Sequence, residues 1–452
     1  MLVNLLIENF IDQYDGLVYR DPNIKLDSFN KISTDSRTIN DGDLFIALDG
    51  ENFSGDKFVE EALENGAEYF ITHNQIGCSK EIVVDSTLKF IQEFAAYIIK
   101  NFKKLKVFGI TGTNGKTSTK EILNCILSKR YKVLSNIGNL NNQIGVPLTI
   151  FRLEESHEIL ILEMGTNSEG EIFNLAQIAR PSYATITNIG NGHTEKLINK
   201  ESILEEKSNI YHFFDSDSVF CFNFDDDLIR PRFNHLNSKK ISFGITNDAE
   251  VMARKISSDF SSFSMCYDKK QVQITLKAPG INNIYNSLCS ASLAIEAGVD
   301  LETVAAGIES FEGIKNRFKI IELKNKNVII NDTYNANPDS MQRAIEMTSK
   351  IFQSKKKIAI LGDMLELGKI SEEEHIKIGN HLAINGFSEL YSFGDKAENY
   401  AKKINKGVVY GKLKNHSEIK KYINLDSTTN TVILVKGSRG MRMEKIFDSL
   451  NN

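Results

Sequence analysis

The sequence has few cysteines and no long apolar run. Its five cysteines are far apart and form no C-x-x-C pair, which excludes a disulfide framework or a cysteine zinc site and indicates reduced thiols in a cytoplasmic protein. No apolar stretch approaches the ~20 residues of a membrane-spanning helix. The apolar residues 2–7 are followed by Glu8, Asp12 and Asp15 without a small-residue cleavage site, so we expect neither a membrane span nor a secretory signal.

An excess of positive charge is also absent. Lys and Arg total 54 and Asp and Glu total 59, which gives a formal net charge of −5, whereas binding to a nucleic-acid backbone draws on clustered Lys and Arg. We therefore expect no nucleic-acid partner. Apolar residues make up 41% of the 452 positions, which is typical of a globular protein able to bury several cores. At ~150 residues per domain, this length predicts about three domains.

The pattern of apolar residues changes twice along the chain. Residues 1–85 contain short elements separated by turn signals, with a helical pattern at 58–63. In residues 86–312, and again in 313–452, apolar runs alternate with amphipathic stretches, which favours βα units and a mainly parallel sheet. The predicted strands, each followed by a helical pattern, are 106–110, 159–162, 184–187, 328–330, 358–361, 390–393 and 432–435.

The strongest local signal is an apolar strand, a glycine-rich turn and a Lys-Thr pair that opens a helix, in residues 107–118 (VFGITGTNGKTS). Glycines let backbone N–H groups approach phosphate oxygens, and the helix N-terminus adds a favourable dipole. We expect Lys116 to reach the β- and γ-phosphates and the Thr117 hydroxyl to coordinate Mg²⁺. The strict G-x-x-x-x-G-K pattern fails because position 110 is Ile. The alternative is a tight turn with a chance Lys-Thr pair.

Two further strand ends carry polar side chains. Glu163 follows the apolar run 159–162, and a carboxylate at this end of a strand, beside a phosphate loop, is placed as a metal ligand would be. The run 184–187 leads into a loop that contains His193. A lone histidine is more often structural than a ligand, but ligands bind at the carboxyl ends of parallel strands. Both residues are therefore candidates for a metal site.

Residues 111–117 (TGTNGKT) resemble the phosphate loop of the Mur ligases, ATP-dependent amide-forming enzymes of peptidoglycan precursor synthesis, which has the same extra residue. Similar segments cover nearly the whole chain: 33–37 (STDSR), 42–48 (GDLFIAL), 138–147 (GNLNNQIGVP), 163–165 (EMG), 331–341 (NDTYNANPDSM), 361–368 (LGDMLELG) and 435–439 (VKGSR). The segments 331–341 and 361–368 are specific, and they resemble the members that add a D-alanyl-D-alanine dipeptide.

This resemblance implies an α/β enzyme of three domains: a small N-terminal α/β domain that binds the UDP substrate (1–85), a central P-loop-like ATPase domain with a mainly parallel sheet (86–312) and a C-terminal Rossmann-like α/β ligase domain (313–452). It implies an ATP- and Mg²⁺-dependent ligase that joins D-alanyl-D-alanine to the terminal carboxylate of UDP-N-acetylmuramoyl-tripeptide through an acyl phosphate. We expect a cytoplasmic monomer whose partners are these small molecules.

Two other functions stay open. The first is the preceding ligase, which adds the third amino acid and usually carries an Asp-Asn-Pro-Arg-like string that this chain lacks. The second is a nucleotide-dependent binding or switch protein without ligase activity.

The resemblance also implies roles for individual residues. ATP contacts are expected from Gly112, Thr113, Asn114, Gly115, Lys116, Thr117 and Ser118, from Asn283 and Asn286 at the adenine, and from Arg317, Asp332 and Tyr334 at phosphate and ribose. Substrate contacts are expected from Ser36 and Arg37 at the uridine nucleotide and from Asn139, Asn142, Asn335 and Asn337. The expected metal ligands are Thr117, Glu163, His193 and Lys207, and the expected catalytic residues are Lys116, His193, Lys207, Lys436 and Arg439. Asp332 and Tyr334 could instead cap the helix that begins near Pro338.

Lys207 lies fourteen residues after His193, the spacing at which the family has a lysine carbamylated by CO₂. Carbamylation converts a cation that would repel Mg²⁺ into an anion with oxygen ligands. The alternatives are a solvated lysine, or an ammonium held by Glu205 or Glu206.

The chain departs from the family pattern at three places. Asn282 stands where His is usual, Asn316 where Gly is usual, and Ser54-Gly55-Asp56 where Asp-Gly-His is usual. These departures concern individual contacts and leave the implied reaction unchanged.

Overall fold

The computed structural model describes residues 2–21, 24–26, 29–50, 53–77, 80–190, 199–233, 236–323, 326–404, 407–425 and 427–451. The N-terminal elements are α1 (Leu2–Ile11), β1 (Leu17–Arg20), β2 (Ile32–Ser33), β3 (Asp43–Ile46), α2 (Val59–Glu64), β4 (Ala67–Thr72) and β5 (Glu81–Val84). Their strands form one sheet in the order β1-β5-β4-β3-β2, in which only the edge strand β1 is antiparallel to its neighbour.

The second sheet has nine strands. Its elements are α3 (Thr87–Asn101), β6 (Lys106–Thr111), α4 (Lys116–Leu127), β7 (Val133–Ser135), α5 (Gly145–Ile150), β8 (Ile159–Glu163), α6 (Glu171–Ala179), β9 (Tyr183–Ile186), α7 (Lys200–Ser208), β10 (Val219–Asn223), α8 (Ile229–Phe233), β11 (Lys239–Gly244), β12 (Val251–Arg254), β13 (Ser262–Tyr267), β14 (Lys270–Thr275), α9 (Ile281–Glu296) and α10 (Leu301–Ser310). The strand order is β14-β13-β12-β11-β10-β9-β6-β8-β7, parallel from β12 to β7 and antiparallel at β13 and β14.

The third sheet has six strands. Its elements are β15 (Lys319–Glu322), β16 (Val328–Asp332), α11 (Pro338–Ile351), β17 (Lys356–Gly362), α12 (Ser371–Ile384), β18 (Glu389–Phe393), β19 (Val409–Leu413), β20 (Thr431–Lys436) and α13 (Lys445–Asn451). The order is β15-β16-β20-β17-β18-β19, and only β15 is antiparallel to its neighbour.

The burial of β8 shows how the central sheet positions polar groups. All five residues of β8 are buried, as expected of a parallel strand covered on both faces. Leu160 and Leu162 enter the core on one face, and Ile159 and Ile161 enter the core on the other. The strand ends with Glu163, at the edge where the carboxyl ends of neighbouring parallel strands meet.

The predicted α/β fold is confirmed, and every predicted strand forms within one or two residues of its expected bounds. Strands β7, β10 to β15 and β19 were not predicted; among them, β14 is largely exposed and so lacks the continuous apolar run of a buried strand. The helix expected after β18 is only a short 3₁₀ segment, Ala397–Ala401.

The three sheets occupy residues 17–84, 106–275 and 319–436. The predicted domain limits at 85 and 312 fall between them and stay predictions. Helix α3 packs against α1 and also against α5 and α6, and so joins the first two sheets. Among the described helices, none is both long enough and apolar enough to cross a membrane.

Candidate active site

A cavity of about 1260 Å³ lies between the second and third sheets, at the carboxyl ends of strands from both. The predicted site residues that line it are Thr113, Asn114, Gly115, Lys116, Ser118, Asn139, Asn142, Glu163, Asn283, Asn286, Arg317, Asp332, Tyr334, Asn335, Asn337, Lys436 and Arg439. Gly112, Thr117 and Lys207 are buried behind this lining. Ser36 and Arg37 lie in the N-terminal domain, and His193 lies outside the described residues.

The glycine-rich turn between β6 and α4 needs its glycines. Gly112 and Gly115 have φ values of +145° and +83°, in the left-handed region that favours glycine. A Cβ on Gly112 would collide with the Thr187 hydroxyl, and one on Gly115 would lie 2.5 Å from Oδ1 of Asn286. The Thr187 hydroxyl donates to the carbonyl oxygen of Asn114 at 2.6 Å. Thr187, the residue that follows strand β9, therefore helps to fix the shape of the turn.

Lys116 folds back over this turn. Its Nζ donates to the carbonyl oxygens of Gly112 (2.8 Å) and Thr113 (3.4 Å). Removal from water lowers the pKa of Lys116; the charge of Glu163 opposes this shift and that of Arg317 adds to it. A cation at the N-terminus of α4, where the first N–H groups of a helix have no partner within the helix, is suited to bind phosphate.

Glu163 presents an unpaired carboxylate oxygen at the cavity. Its Oε1 accepts from Nδ2 of Asn141 at 2.7 Å, whereas Oε2 is buried and has no hydrogen-bond partner among the described residues. Those residues contain no group of three or more His, Cys, Asp or Glu side chains that could hold a metal ion. Because Mg²⁺ commonly uses one or two carboxylates together with substrate phosphates and water, Glu163 fits a nucleotide-bound Mg²⁺ rather than a metal held by protein alone.

Lys207 is 1% exposed on α7, so the alternative of a solvated lysine is wrong. Its two acidic neighbours bond elsewhere: Glu206 accepts from the backbone N–H groups at the start of α6, and Glu205 pairs with Arg232 at 2.5 Å. Burial lowers the pKa of Lys207 well below its usual value, the charge of Lys116 lowers it further and Glu206 opposes the shift.

Two hydrogen bonds cross from the C-terminal domain to the phosphate loop. Nη2 of Arg317 donates to the Thr117 hydroxyl at 3.0 Å, and the Arg317 guanidinium lies 4.2 Å from the centre of the Tyr334 ring. Nδ2 of Asn337 donates to Oδ1 of Asn114 at 3.1 Å. The phosphate loop is therefore in contact with both domains.

The departures at Asn316 and Asn282 have structural explanations. Asn316 has a φ of +65°, a conformation in which Asn is tolerated better than most residues other than Gly. Its carbonyl oxygen accepts from the N–H of Tyr334 at 2.9 Å. Oδ1 of Asn282 accepts from Nη1 of Arg343 at 3.3 Å, across the gap between the domains.

The C-terminal wall of the cavity carries two cations. Nζ of Lys436 donates to Oδ2 of Asp332 (2.7 Å) and to the carbonyl oxygen of Asn335 (2.9 Å). Arg439 pairs with Glu444 at 3.0 Å and is largely exposed. The cap of α11 is Asn337, so the capping role considered for Asp332 and Tyr334 is wrong.

The two asparagines expected at the adenine lie on α9. Nδ2 of Asn283 donates to the carbonyl oxygen of Ala278 at 3.0 Å, and Nδ2 of Asn286 donates to Oδ1 of Asn283 at 3.4 Å. The Thr119 hydroxyl of α4 donates to Oδ1 of Asn286 at 3.4 Å. The helix that follows the phosphate loop is thus bonded to this part of the wall.

In the N-terminal domain, the Ser36 hydroxyl donates to Oε2 of Glu61 at 2.5 Å. Arg37 is 79% exposed and pairs with both carboxylate oxygens of Asp35 at 2.8 Å. This pair lowers the pKa of Asp35. At the departure Ser54-Gly55-Asp56, the Asp56 carboxylate accepts hydrogen bonds from the backbone N–H groups of His73 and Asn74, just after β4.

Four polar residues that support the cavity were not singled out as site residues from the sequence. They are Lys120, Asn136, Asn141 and Ser438. Asn141 and Ser438 lie inside the segments that carry the resemblance, so the sequence could have indicated them. No motif contains Asn136 or Lys120, and the bonds that join Lys120 to Asn136 and Asn136 to Glu163 connect distant positions in the chain.

Three family descriptions match successive parts of the chain. They are "Mur ligase family, catalytic domain" at residues 28–99, "Mur ligase middle domain" at 110–294 and "Mur ligase, glutamate ligase domain" at 316–439. The UDP-N-acetylmuramoyl-tripeptide–D-alanyl-D-alanine ligase of Bacillus subtilis is 30% identical, with 99% of each chain covered. The ligase of the same name from Buchnera aphidicola is 33% identical, covering 94% of this chain and 92% of its own.

Solved structures agree with these matches. A crystal structure of MurF from Acinetobacter baumannii has a TM-score of 0.87 at 31% identity, covering 93% of both chains. MurF ligase from Thermotoga maritima in complex with ADP has a TM-score of 0.81 at 28% identity, covering 93% of this chain and 97% of its own. The likeness extends over all three sheets, and the chain therefore belongs to the Mur ligase family of ATP-dependent, amide-forming ligases.

Proposed function

We propose that the chain joins D-alanyl-D-alanine to the terminal carboxylate of UDP-N-acetylmuramoyl-tripeptide with consumption of ATP, the reaction for which its relatives in Bacillus and Buchnera are named. One observation carries the proposal. A single cavity is lined by the phosphate loop, by the Glu163 carboxylate and by the cations Lys436 and Arg439. ATP and both reacting ends must meet in one place, and this cavity joins their expected binding groups.

In the first proposed step, an oxygen of the peptide carboxylate bonds to the γ-phosphorus of ATP, the bond to the β-phosphate oxygen breaks, and ADP and an acyl phosphate form. Both reactants are anions, so their repulsion is the main barrier. Lys116 and Arg317 offset it from opposite domains, because each lines the cavity beside the phosphate loop.

Glu163 and Thr117 would hold a nucleotide-bound Mg²⁺, which supplies Lewis-acid polarisation of the phosphate. Lys207 and His193 are the proposed residues of a second metal position. The proposed carbamate on Lys207 forms when the neutral amine nitrogen bonds to the carbon of CO₂ and a proton leaves to solvent. Burial favours this reaction, since it lowers the pKa of Lys207 and so supplies the neutral amine.

In the second proposed step, the amine of the dipeptide bonds to the acyl carbonyl carbon and inorganic phosphate departs. Lys436 and Arg439 stabilise the negative charge at the reacting end from the C-terminal wall. The bond between Asn337 and Asn114 holds this wall against the phosphate loop. Closure of this kind excludes water, which would otherwise hydrolyse the acyl phosphate.

The remaining roles follow the layout of the domains. Ser36 and Arg37 would contact the uridine nucleotide from the N-terminal domain, and Asn139, Asn142 and Asn335 would contact the peptide at the cavity.

The proposed domain limits are 1–85, 86–312 and 313–452. A monomer in the cytoplasm is the proposed state, and the four described cysteines are free, as that compartment favours.

Phosphate release tests the proposal. The full chain is given ATP and Mg²⁺ with a panel of UDP-muramoyl-peptides and acceptor amines, and release is expected only when the tripeptide and D-alanyl-D-alanine are both present. Release with the dipeptide substrate and a single amino acid would indicate the preceding ligase instead. Release that needs neither substrate would indicate a nucleotide switch.

A further inference from the structure

A buried asparagine fixes the backbone on both sides of Glu163. Asn136 is 1% exposed and is not part of the cavity lining. Its Oδ1 accepts from the N–H of Glu163 (3.0 Å), and its Nδ2 donates to the carbonyl oxygens of Glu163 (2.9 Å) and Leu140 (2.8 Å). One side chain therefore ties the end of β8 to the loop that follows β7.

The same loop orients the carboxylate itself. Nδ2 of Asn141 donates to Oε1 of Glu163 at 2.7 Å, and the N–H of Gly165 donates to the carbonyl oxygen of Asn141 at 2.8 Å. These bonds leave the buried Oε2 as the carboxylate oxygen without a partner in the described part of the chain. Hydrogen bonds of this kind fix the direction in which a ligating carboxylate points.

Lys120 connects this arrangement to the phosphate loop. It lies one turn after Lys116 on α4 and is fully buried. Its Nζ donates to the carbonyl oxygen of Asn136 at 2.5 Å and lies 2.9 Å from Oε1 of Glu121. A buried ammonium is costly unless its donors are bonded, so the contact with Asn136 holds α4 and the β7 loop in a fixed relation.

We propose that Asn136, anchored by Lys120, is a positioning residue for Glu163. It holds Oε2 of Glu163 at a fixed position relative to the phosphate loop. At that position the oxygen ligates a divalent cation carried by a bound nucleoside diphosphate or triphosphate. This inference depends on the proposed function in one respect: the site must bind a nucleotide together with a divalent cation. It assigns no contact with the substrate to Asn136, which acts through Glu163.

The test measures cation binding rather than turnover. Mn²⁺ is titrated into the full chain in the presence of ADP, and free Mn²⁺ is followed by its electron paramagnetic resonance signal. Groups that support metal ligands affect affinity by about 10–100-fold, so Asn136→Ala should weaken Mn²⁺ binding by about tenfold or more. Glu163→Gln serves as the reference for loss of the ligand. Binding of ADP without a divalent cation should stay unchanged in Asn136→Ala, because Asn136 is not part of the cavity lining.

Asn327→Ala is the matched control. Asn327 is also 1% exposed, and its side chain likewise bonds to backbone, at the carbonyl oxygen of Thr428 and the N–H of Thr431. It lies at the opposite end of its sheet from the cavity, next to the start of β16. Asn327→Ala should therefore lower the thermal midpoint as Asn136→Ala does, but leave Mn²⁺ binding at the wild-type value.

A second variant covers the case in which Asn136→Ala does not fold. Lys120→Met removes the bond to the carbonyl oxygen of Asn136 and keeps a long apolar stem, and it should weaken Mn²⁺ binding in the same direction. Wild-type Mn²⁺ affinity in Asn136→Ala or, if that variant is unfolded, in Lys120→Met would overturn the inference, as would an equal loss in Asn327→Ala. If the wild-type chain released no phosphate, the proposed ligase reaction would be wrong. The Mn²⁺ affinities of the wild-type chain and the variants could still be compared.

Discussion

Lys436 and Asp332 are direct partners on the neighbouring parallel strands β20 and β16, and their side chains form an ion pair of 2.7 Å. The Lys436 side chain is 3% exposed and that of Asp332 is 14% exposed. Removing one member of a buried pair leaves an uncompensated charge. The pair therefore stabilises the C-terminal sheet and also holds Lys436, the cation that we propose acts on the reacting end of the peptide.

The Asp332→Ala variant should lose about 3 kcal/mol or more of stability, because the ammonium of Lys436 would remain buried without its partner. The measurement is urea unfolding, followed by a probe in the C-terminal domain. Glu372→Ala is the control, since it breaks an exposed pair with Lys402 in the same domain and should leave the urea midpoint almost unchanged. Equal losses in the two variants would contradict the prediction.

Lys116→Ala should reduce turnover by about a hundredfold or more, because Arg317, the other cation beside the phosphate loop, approaches from the opposite domain and does not replace it. The UDP substrate should bind with unchanged affinity in calorimetry, since its proposed site lies on another domain. Lys129→Ala, at an exposed position just beyond the same helix, should behave as wild type. Near-normal turnover in Lys116→Ala would mean that the interpretation of the phosphate loop is wrong.

Arg37→Ala should raise the KM for the UDP substrate by about tenfold and leave the KM for ATP within a few-fold. The rise reflects the loss of one charge-assisted hydrogen bond to the substrate. Arg254→Ala is the control: Arg254 is another exposed arginine paired with an aspartate, but lies in the central domain, and its removal should change neither KM. A parallel rise in both KM values for Arg37→Ala would indicate a general disturbance of folding.

Lys207→Ala should abolish activity, and short carboxylic acids should restore part of it by replacing the proposed carbamate. In the wild-type chain, removal of CO₂ should lower activity and bicarbonate should restore it. Because only the neutral amine reacts with CO₂, reactivation should become faster as the pH rises through the lowered pKa of Lys207. Activity that is insensitive to both the substitution and CO₂ would exclude the carbamate.

The parts of the site that could be predicted from the sequence are those with local signals. The glycines of the turn between β6 and α4, and Glu163 at the end of a buried strand, follow from short apolar and turn patterns. Asn136 and Lys120 could not be predicted in this way. Their bonds join residues 16 and 27 positions apart in the chain, and no local pattern of polar residues specifies such a contact.

Some departures from the family pattern also needed the fold to be understood. The sequence shows that Asn316 replaces a usual glycine, but not that its backbone is left-handed or that its carbonyl oxygen accepts from Tyr334. The burial of Lys207 was likewise unpredictable, because α7 has no strongly apolar face around it.

The contact between Asn337 and Asn114 has a consequence for inhibitor discovery. Because the cavity wall is divided between two domains that meet at this bond, a compound that spans the cavity will bind only the closed arrangement, and a screen against an isolated central domain would miss it. Resistance to such a compound need not arise at a residue that touches it. Substitutions at the contact between the Lys350 ammonium and the Phe260 ring, which joins the two domains outside the cavity lining, would weaken closure and thereby lower its affinity from a distance.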